Sequence, residues 1–509
     1  MFSKVNSMGI FGLDVFPVSV EADLSSGLPR FDVVGLPDSA VSESRDRVRS
    51  AVKNSGFDFP VSRITVNLAP ADRRKEGPLY DLAMLVALLK ASEQINVNTE
   101  NRAFLGELSL DGKIRRVNGV LPMVIKARQC GINEIFVPEE NGSEGSVVNG
   151  ISVIPVENVA QLLDHLSGFK PIRPAVPAGD ENTGDLMYMP DFSDVKGQFE
   201  AKRALEVAAA GGHNTLMIGS PGTGKSMLAK RIPSILPSMT FEESLETTKI
   251  YSVAGALGRN SRLITTRPFR SPHHTVSTVG LAGGGAIPRP GELSLAHNGV
   301  LFLDELPEFS RQAMEIMRQP LEDGRITISR ASGTASYPCS VMLVCAMNPC
   351  PCGYFGHPVR ECTCREGAAQ KYLAKVSGPL LDRIDIHIEV PPVDFEKLSD
   401  STRGEASAQI KKRVEAARRL QQERLEKTDA NCNAQMNSAM TREFCRTTDE
   451  AMRLLRNAFD KLGLSARAYD KILRVSRTIA DLDRADVIDS AHIAEAIQYR
   501  SLDRKFWNR

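Results

Sequence analysis

The segment Gly219-Ser220-Pro221-Gly222-Thr223-Gly224-Lys225-Ser226 constrains this chain more than any other. It sits between the apolar run Leu216–Ile218 and the helical pattern Met227–Ile232, and so reads as strand, glycine-rich loop, helix. Glycines let the backbone curl until several N–H groups point at one anion. The following helix adds the partial positive charge of its N-terminus. Lys225 is then placed to reach the β- and γ-phosphates of a nucleotide, and Ser226 to ligate Mg²⁺. A glycine turn before a surface helix is the bland alternative, and it does not require this flanking order. The expected fold is α/β, with the binding edge at the C-terminal ends of parallel strands.

Further along, Gly299-Val300-Leu301-Phe302-Leu303-Asp304-Glu305 is an apolar strand ending in two carboxylates. Asp304 is read as a Mg²⁺ ligand, direct or through water. Glu305 is read as the base that orients and polarises the attacking water. A second carboxylate there argues for hydrolysis beyond binding. The apolar stretch Val341–Ala346 leads into Met347-Asn348, which puts the Asn348 amide beside the same phosphate. Leu380-Leu381-Asp382-Arg383-Ile384-Asp385 closes the region. Arg383 either pairs internally with Asp382 or Asp385, or projects across an interface into a neighbour's γ-phosphate. An arginine supplied in trans is worth about 10³–10⁵ in rate.

These residues resemble the magnesium-chelatase-like branch of the AAA+ ATPases, and within it the competence-protein ComM/YifB family. Gly219–Ser226 matches Walker A, Val300–Glu305 Walker B, Asn348 sensor 1 and Arg383 the arginine finger. Leu464-Ser465-Ala466-Arg467 matches the lid segment carrying sensor 2, which makes Arg467 a γ-phosphate contact. Asp191–Gln198 resembles the segment packed around the adenine. The resemblance covers essentially the whole chain. It implies ATP and Mg²⁺ as cofactors and a homo-hexameric ring. It also implies single-stranded or branched DNA as partner, with recombination proteins nearby. The implied activity is a branch-migration helicase in recombination or natural transformation. A protein-remodelling or metal-chelatase-type motor acting through a partner is the other reading.

Two segments inside the ATPase region need separate readings. Residues 267–298 set Arg267, Arg270, His273, His274 and Arg289 around Gly283-Gly284-Gly285. In the branch resembled, an insertion here projects toward a central channel, so substrate-facing loops are expected, against a packing loop. In Leu321–Ser336, Asp323-Gly324 turns the chain into Arg325–Ser329. That is a hairpin offering Arg325 and Arg330 to a DNA backbone, or a merely solvated face.

The nine cysteines are unevenly placed. Cys350-Pro351-Cys352 and Cys362-Thr363-Cys364 form two close pairs, and four thiolates satisfy tetrahedral Zn²⁺. The expectation is a structural zinc clamp beside Asn348; free thiols or another metal are the alternatives. An odd total without a leader pattern at MFSKVNSMGI argues against a disulfide framework and for a cytoplasmic protein. The longest apolar run, Leu82–Leu89, is far too short to span a membrane.

The 509 residues divide into an N-terminal domain over 1–167, a Pro- and Gly-containing linker over 168–190, an ATPase core over 191–395 and a helical lid over 396–509. In the front domain, Val15–Glu21 and Ile64–Leu68 read as strands and Asp81–Lys90 as a buried helix. Ala103–Leu110, Asp111-Gly112 and Lys113–Val117 read as a hairpin. Phe104–Asn141 and Glu76-Gly77-Pro78 resemble the proteolytic domain of Lon proteases, a fold of the ribosomal protein S5 domain 2 type. Leu79 and Leu121 occupy the positions of that family's serine and lysine, so a non-proteolytic domain is expected. Arg73-Arg74-Lys75 is a compact basic patch, either for nucleic acid or simply solvated. The formal net charge is +1, which excludes a polybasic tail but not a local basic surface.

Overall fold

The computed structural model describes residues 1–176, 190–258, 262–331, 333–393, 404–462, 465–500 and 502–507. Most of the expected linker, 177–189, and Leu464 of the lid segment lie outside the described residues.

The N-terminal unit is built on a seven-stranded sheet. Its strands are β1 (Phe2–Phe11), β2 (Asp14–Ser25), β3 (Arg30–Val34), β4 (Arg63–Ala69) and β5 (Arg102–Phe104). A small pair, β6 (Glu107–Leu108) and β7 (Ile114–Arg115), stands apart before β8 (Glu134–Pro138) and β9 (Ser152–Val156). The sheet order is β3-β4-β2-β1-β5-β8-β9. β1 and β2 pair antiparallel along their whole length, from Phe2 opposite Asp23 to Phe11 opposite Asp14. The helix Asp81–Ala91 buries every residue except Lys90, as an uninterrupted apolar run requires. The hairpin expected over Ala103–Val117 forms only at its tip. Phe104 is claimed by the main sheet, where it stacks on Phe136 at 4.8 Å, and only β6 and β7 pair.

The basic patch at Arg73-Arg74-Lys75 loses its lysine on folding, while Arg73 and Arg74 stay exposed. Lys75 is fully buried and its ammonium donates to the Pro70 and Arg73 carbonyls. Arg73 pairs with Asp14 at 3.0 Å and covers the Phe16 ring at 4.9 Å. Burial lowers the Lys75 pKa, with Asp72 opposing.

The second unit carries a five-stranded parallel sheet. Its strands are β10 (Thr215–Ile218), β11 (Phe269–Arg270), β14 (Val300–Leu303), β17 (Met342–Met347) and β18 (Ile386–Glu389). Between them lie a two-residue pair, β12 (Gly283–Gly284) and β13 (Arg289–Pro290), and a hairpin, β15 (Arg325–Arg330) and β16 (Gly333–Pro338). The order β11-β14-β17-β10-β18 places β10 between β17 and β18. β10, β14 and β17 are buried throughout, which is why they read as unbroken apolar runs.

Helices Ser407–Leu425, Asp449–Leu462, Ala466–Leu482 and Ser490–Gln498 form the C-terminal helical region. The last of these is capped by Asp489, whose side chain accepts from the Ala491 and His492 N–H groups. Ile410, Val414, Ile472 and Ile479 join Leu205, Val344 and Ile386 in one hydrophobic core, so this region is continuous with the sheet. The front unit touches the second one directly. Gly119 N–H donates to Ser252 O at 3.1 Å and Arg116 to Leu257 O at 2.9 Å. Among the described residues, no helix is long and apolar enough to cross a membrane.

Candidate nucleotide site

Three parallel strands deliver the candidate residues to one edge. β10 opens into Gly219–Ser226, β14 into Asp304-Glu305 and β17 into Asn348. Adjacent strand ends are locked in register, Ile218 opposite Met347 and Leu303 opposite Cys345. The loop's glycines are sterically required. Gly222 and Gly224 have φ of +80° and +91°. A Cβ on Gly219 would stand 2.4 Å from the Val390 carbonyl oxygen.

Lys225 Nζ donates to Gly219 O at 2.7 Å, Ser220 O at 2.9 Å and Asn348 Oδ1 at 3.2 Å. The lysine, the loop and the end of β17 are thus one hydrogen-bonded group. Burial pushes the Lys225 ammonium down to about 8, with the Asp304 charge pulling the other way. Ser226 Oγ donates to Asp304 Oδ2 at 2.6 Å. A hydroxyl and a carboxylate, both hard oxygen donors, fit the coordination of Mg²⁺.

Glu305 has a left-handed backbone (φ 53°), and its side chain is 57% exposed. Its carboxylate faces His274 at 3.6 Å, and His274 stacks on His273 at 4.0 Å. Glu305 and Asn348 also line an open cavity of about 480 Å³ together with Glu308, Lys371, Tyr372 and Lys375. Lys371 and Lys375 escaped the sequence reading. Their spacing of four residues is a helical signal, but nothing local ties it to Glu305.

The two candidate arginines stand apart from this group. Arg383 Nε donates to Arg318 O at 2.8 Å and Nη1 to Pro379 O at 2.6 Å, while Nη2 pairs with Glu322 at 2.7 Å. Of the two internal partners expected for Arg383, Asp385 is engaged elsewhere. Asp385 is instead buried between Lys471 Nζ at 3.0 Å and His213 Nδ1 at 3.4 Å. Burial works to raise its pKa, but Lys471 and His213 outweigh it and hold the carboxyl far below the usual range. Arg467 is exposed at the start of the helix Ala466–Leu482, with no hydrogen bond or ion pair among the described residues.

The lead-in segment clamps the loop from behind. Gln198 donates to Thr223 O at 3.3 Å and Pro391 O at 2.6 Å, and Arg231 donates to Asp191 O at 2.7 Å. The insertion 267–298 spends two of its cations internally. Arg267 pairs with Glu243 at 2.8 Å, and Arg270 makes a two-pronged pair with Glu292 at 2.7 Å. Arg289 stays exposed. In the β15–β16 hairpin, Ile326, Ile328, Ala335 and Tyr337 face inward, and Arg325, Thr327, Ser329, Arg330, Thr334 and Ser336 face out.

Directly after Asn348, the Sγ atoms of Cys350, Cys352, Cys362 and Cys364 all lie within 4.8 Å of one another. Cys350 is 3.3 Å from Cys352 and 3.8 Å from Cys362, and Cys352 is 3.5 Å from Cys362. A tetrahedron of thiolates at about 2.3 Å from zinc has sulfur–sulfur edges of about 3.8 Å. The donor set therefore fits zinc.

Comparison with known proteins agrees with this architecture. Residues 191–398 match the family described as magnesium chelatase, subunit ChlI. Residues 20–141 match subunit ChlI of Mg-chelatase, and residues 404–500 match its C-terminal part. The chain is 44% identical over 504 residues to the YifB protein of Escherichia coli (strain K12), covering 99% of this chain and 97% of that one. It is 42% identical over 511 residues to the competence protein ComM of Haemophilus influenzae, covering 98% and 97%. Its similarity to the Lon protease of Brucella suis is 26% identity over 160 residues, which is 29% of this chain and 20% of that protein. With full-length relatives at this level and a P-loop sheet followed by a helical region, the chain belongs to the ComM/YifB family of magnesium-chelatase-like AAA+ ATPases.

Proposed function

We propose that this protein is an ATP-hydrolysing ring motor that acts on DNA, a branch-migration helicase of recombination or natural transformation. The observation that carries the ATPase half is the single bonded group formed by Lys225, Asn348, Ser226 and Asp304, with Glu305 at its open side. Gly219–Ser226 wraps the phosphates with backbone N–H groups, and Lys225 exchanges its carbonyl partners for phosphate oxygens. Ser226 and Asp304 would hold Mg²⁺, which when bound offsets charge on the phosphates. Glu305 accepts a proton from water held near the γ-phosphate, and Asn348 reports whether that phosphate is present. Hydrolysis then needs positive charge from outside this group. Arg383 of a neighbouring copy supplies it by giving up Glu322, and Arg467 of the lid adds a second contact to the γ-phosphate.

The DNA half rests on the similarity to a competence protein and on the hydroxyl- and arginine-bearing outer face of the β15–β16 hairpin. Six such faces around a channel concentrate charge that a chain of net +1 does not display. Zinc at the four cysteines is structural, since all four positions are filled by protein. The front unit is a Lon-like domain without protease activity. The chain divides into this domain over 1–167, a linker over 168–190, the ATPase core over 191–395 and the lid over 396–509.

The deciding experiment is ATP turnover against single-stranded, duplex and four-way-junction DNA, at low and high salt. Stimulation by single-stranded or branched DNA that fades with salt supports the reading. Turnover indifferent to every DNA form overturns it in favour of a motor that remodels protein or serves a chelatase partner.

A further inference from the structure

The cysteine loop and the phosphate loop are in direct contact. One residue, Pro349, separates Asn348 from Cys350, and Cys350 is fully buried. Gly353 lies against Pro221 so closely that a Cβ there would stand 2.4 Å from Pro221 Cδ and 2.6 Å from Cγ. Its φ of +84° already excludes most side chains. Beyond it, Phe355, Gly356 and His357 line a cavity of about 90 Å³ together with Gly219 and Ser220. Gly219 and Ser220 are the residues whose carbonyls hold Lys225.

We propose that zinc at the four cysteines and nucleotide at the phosphate loop are thermodynamically linked through the seating of Gly353 on Pro221. The proposal rests on the zinc and ATP readings given above and adds the coupling between them. Residues 353–364 contain no helix or strand; their internal bonds are local, His357 Nδ1 accepting from the Val359 and Arg360 N–H groups and Arg360 donating to the Tyr354 hydroxyl, and the thiolate cluster ties the two ends of the loop together. Fixing a residue's backbone costs about 1–2 kcal/mol. Without metal, nucleotide must order this loop as it orders its own. With metal bound, the Gly353 turn is already in place, and the phosphate loop closes against a rigid neighbour. Linkage is reciprocal: whatever factor zinc adds to nucleotide affinity, nucleotide adds to zinc affinity.

The test uses the full-length chain and three measurements. Zinc content is taken by elemental analysis. The dissociation constant of a fluorescent, non-hydrolysable ATP analogue with Mg²⁺ is measured on zinc-loaded, zinc-stripped and reloaded protein. Zinc affinity is measured by competition with a zinc-selective chelator, with and without the analogue. Gly353→Ala is the second variant, because it keeps all four thiols and presses a methyl into Pro221. The expected results are one zinc per chain and at least about fivefold weaker nucleotide binding without zinc. The same factor should appear in zinc affinity, and Gly353→Ala should retain zinc while losing nucleotide affinity. Should stripping unfold the chain, the Gly353→Ala and zinc-affinity arms still decide.

A chain that binds no zinc, as purified or on addition, overturns the metal reading and the proposal with it. Zinc bound normally, but nucleotide affinity within twofold in every state and zinc affinity blind to nucleotide, overturns the linkage and leaves the zinc site standing. Failure of the zinc-loaded protein to bind nucleotide at all overturns the ATP reading instead.

Discussion

Lys225 makes nucleotide binding pH-dependent between pH 7 and 9.5. In the free protein its ammonium is shielded from water and pushed down to about 8, held by two carbonyls and the Asn348 amide oxygen. A triphosphate beside it favours the charged form and raises that value. Above pH 8, binding must therefore bring in a proton. For a free-state value of 8, the charged fraction falls from nearly all at pH 7 to about 3% at pH 9.5. Apparent affinity should then drop about 30-fold over that range, about 2 kcal/mol, with most of the loss above pH 8. The γ-phosphate of ATP titrates below this window and does not mask it.

Calorimetry with a non-hydrolysable analogue, run at pH 9.5 in two buffers of different ionisation enthalpy, should register close to one proton taken up per nucleotide. Lys225→Arg fixes the assignment. A guanidinium stays charged throughout, so the slope should vanish whatever happens to absolute affinity. The stability of the nucleotide-free protein should move the opposite way. A lysine whose folded pKa is depressed binds fewer protons folded than unfolded between the two values. Its contribution therefore becomes more favourable as pH rises from 8 toward the unfolded value. Affinity flat from pH 7.5 to 9.5 with no proton uptake, or a slope that survives in Lys225→Arg, would refute the argument.

Other substitutions separate the remaining roles. Glu305→Gln should keep nucleotide binding within a few-fold and lower turnover by about 10²–10⁴, measured by steady-state ATPase beside a binding titration. Arg383→Ala should spare nucleotide affinity and remove turnover, and mixing it with Glu305→Gln should restore part of it, since a mixed ring pairs an intact arginine with an intact glutamate. Asp385→Ala leaves Lys471 buried without its partner and should cost about 3–5 kcal/mol in urea unfolding.

What the sequence made legible was chemistry that depends on neighbours along the chain. A loop that must curl around an anion needs glycines at close intervals, and Gly222 and Gly224 show the positive φ that such a loop demands. Ser226 and Asp304 end a helix start and a strand, and parallel register alone brings them to 2.6 Å. The two C-x-C pairs likewise converge because each pair is local and the loop between them is short. Contacts made across long stretches of chain were not legible. No pattern near Arg383 singles out Glu322, and Asp385 finds Lys471 on a helix that begins with Ala466. Lys75 reads as a surface cation in every local window, yet its backbone is tied to the distant Leu36–Asp38 segment, its N–H donating to Leu36 O and its carbonyl accepting from Asp38 N–H, and the side chain is fully buried. The hairpin at Ala103–Val117 failed for a related reason: turn chemistry fixed its tip, but the main sheet claimed Phe104.

The way the front unit meets the ATPase unit follows from these long-range contacts and bears on how the two work together. Ser252, near the end of the helix Phe241–Ala254, receives the Gly119 N–H on its carbonyl and donates its own hydroxyl to the buried Glu144. Glu144 also accepts from the Leu121 N–H and the Asn141 amide, so Ser252 docks onto a carboxylate already fixed within the front unit. A second contact sets the Phe11 ring 3.0 Å from where a Cβ on Gly333 would be, at the turn end of the β15–β16 hairpin. The helix leads toward the 267–298 insertion and the hairpin carries the outward hydroxyls and arginines. The front unit therefore braces both the helix that precedes the 267–298 insertion and the β15–β16 hairpin, so a shift of one unit against the other is felt at both elements.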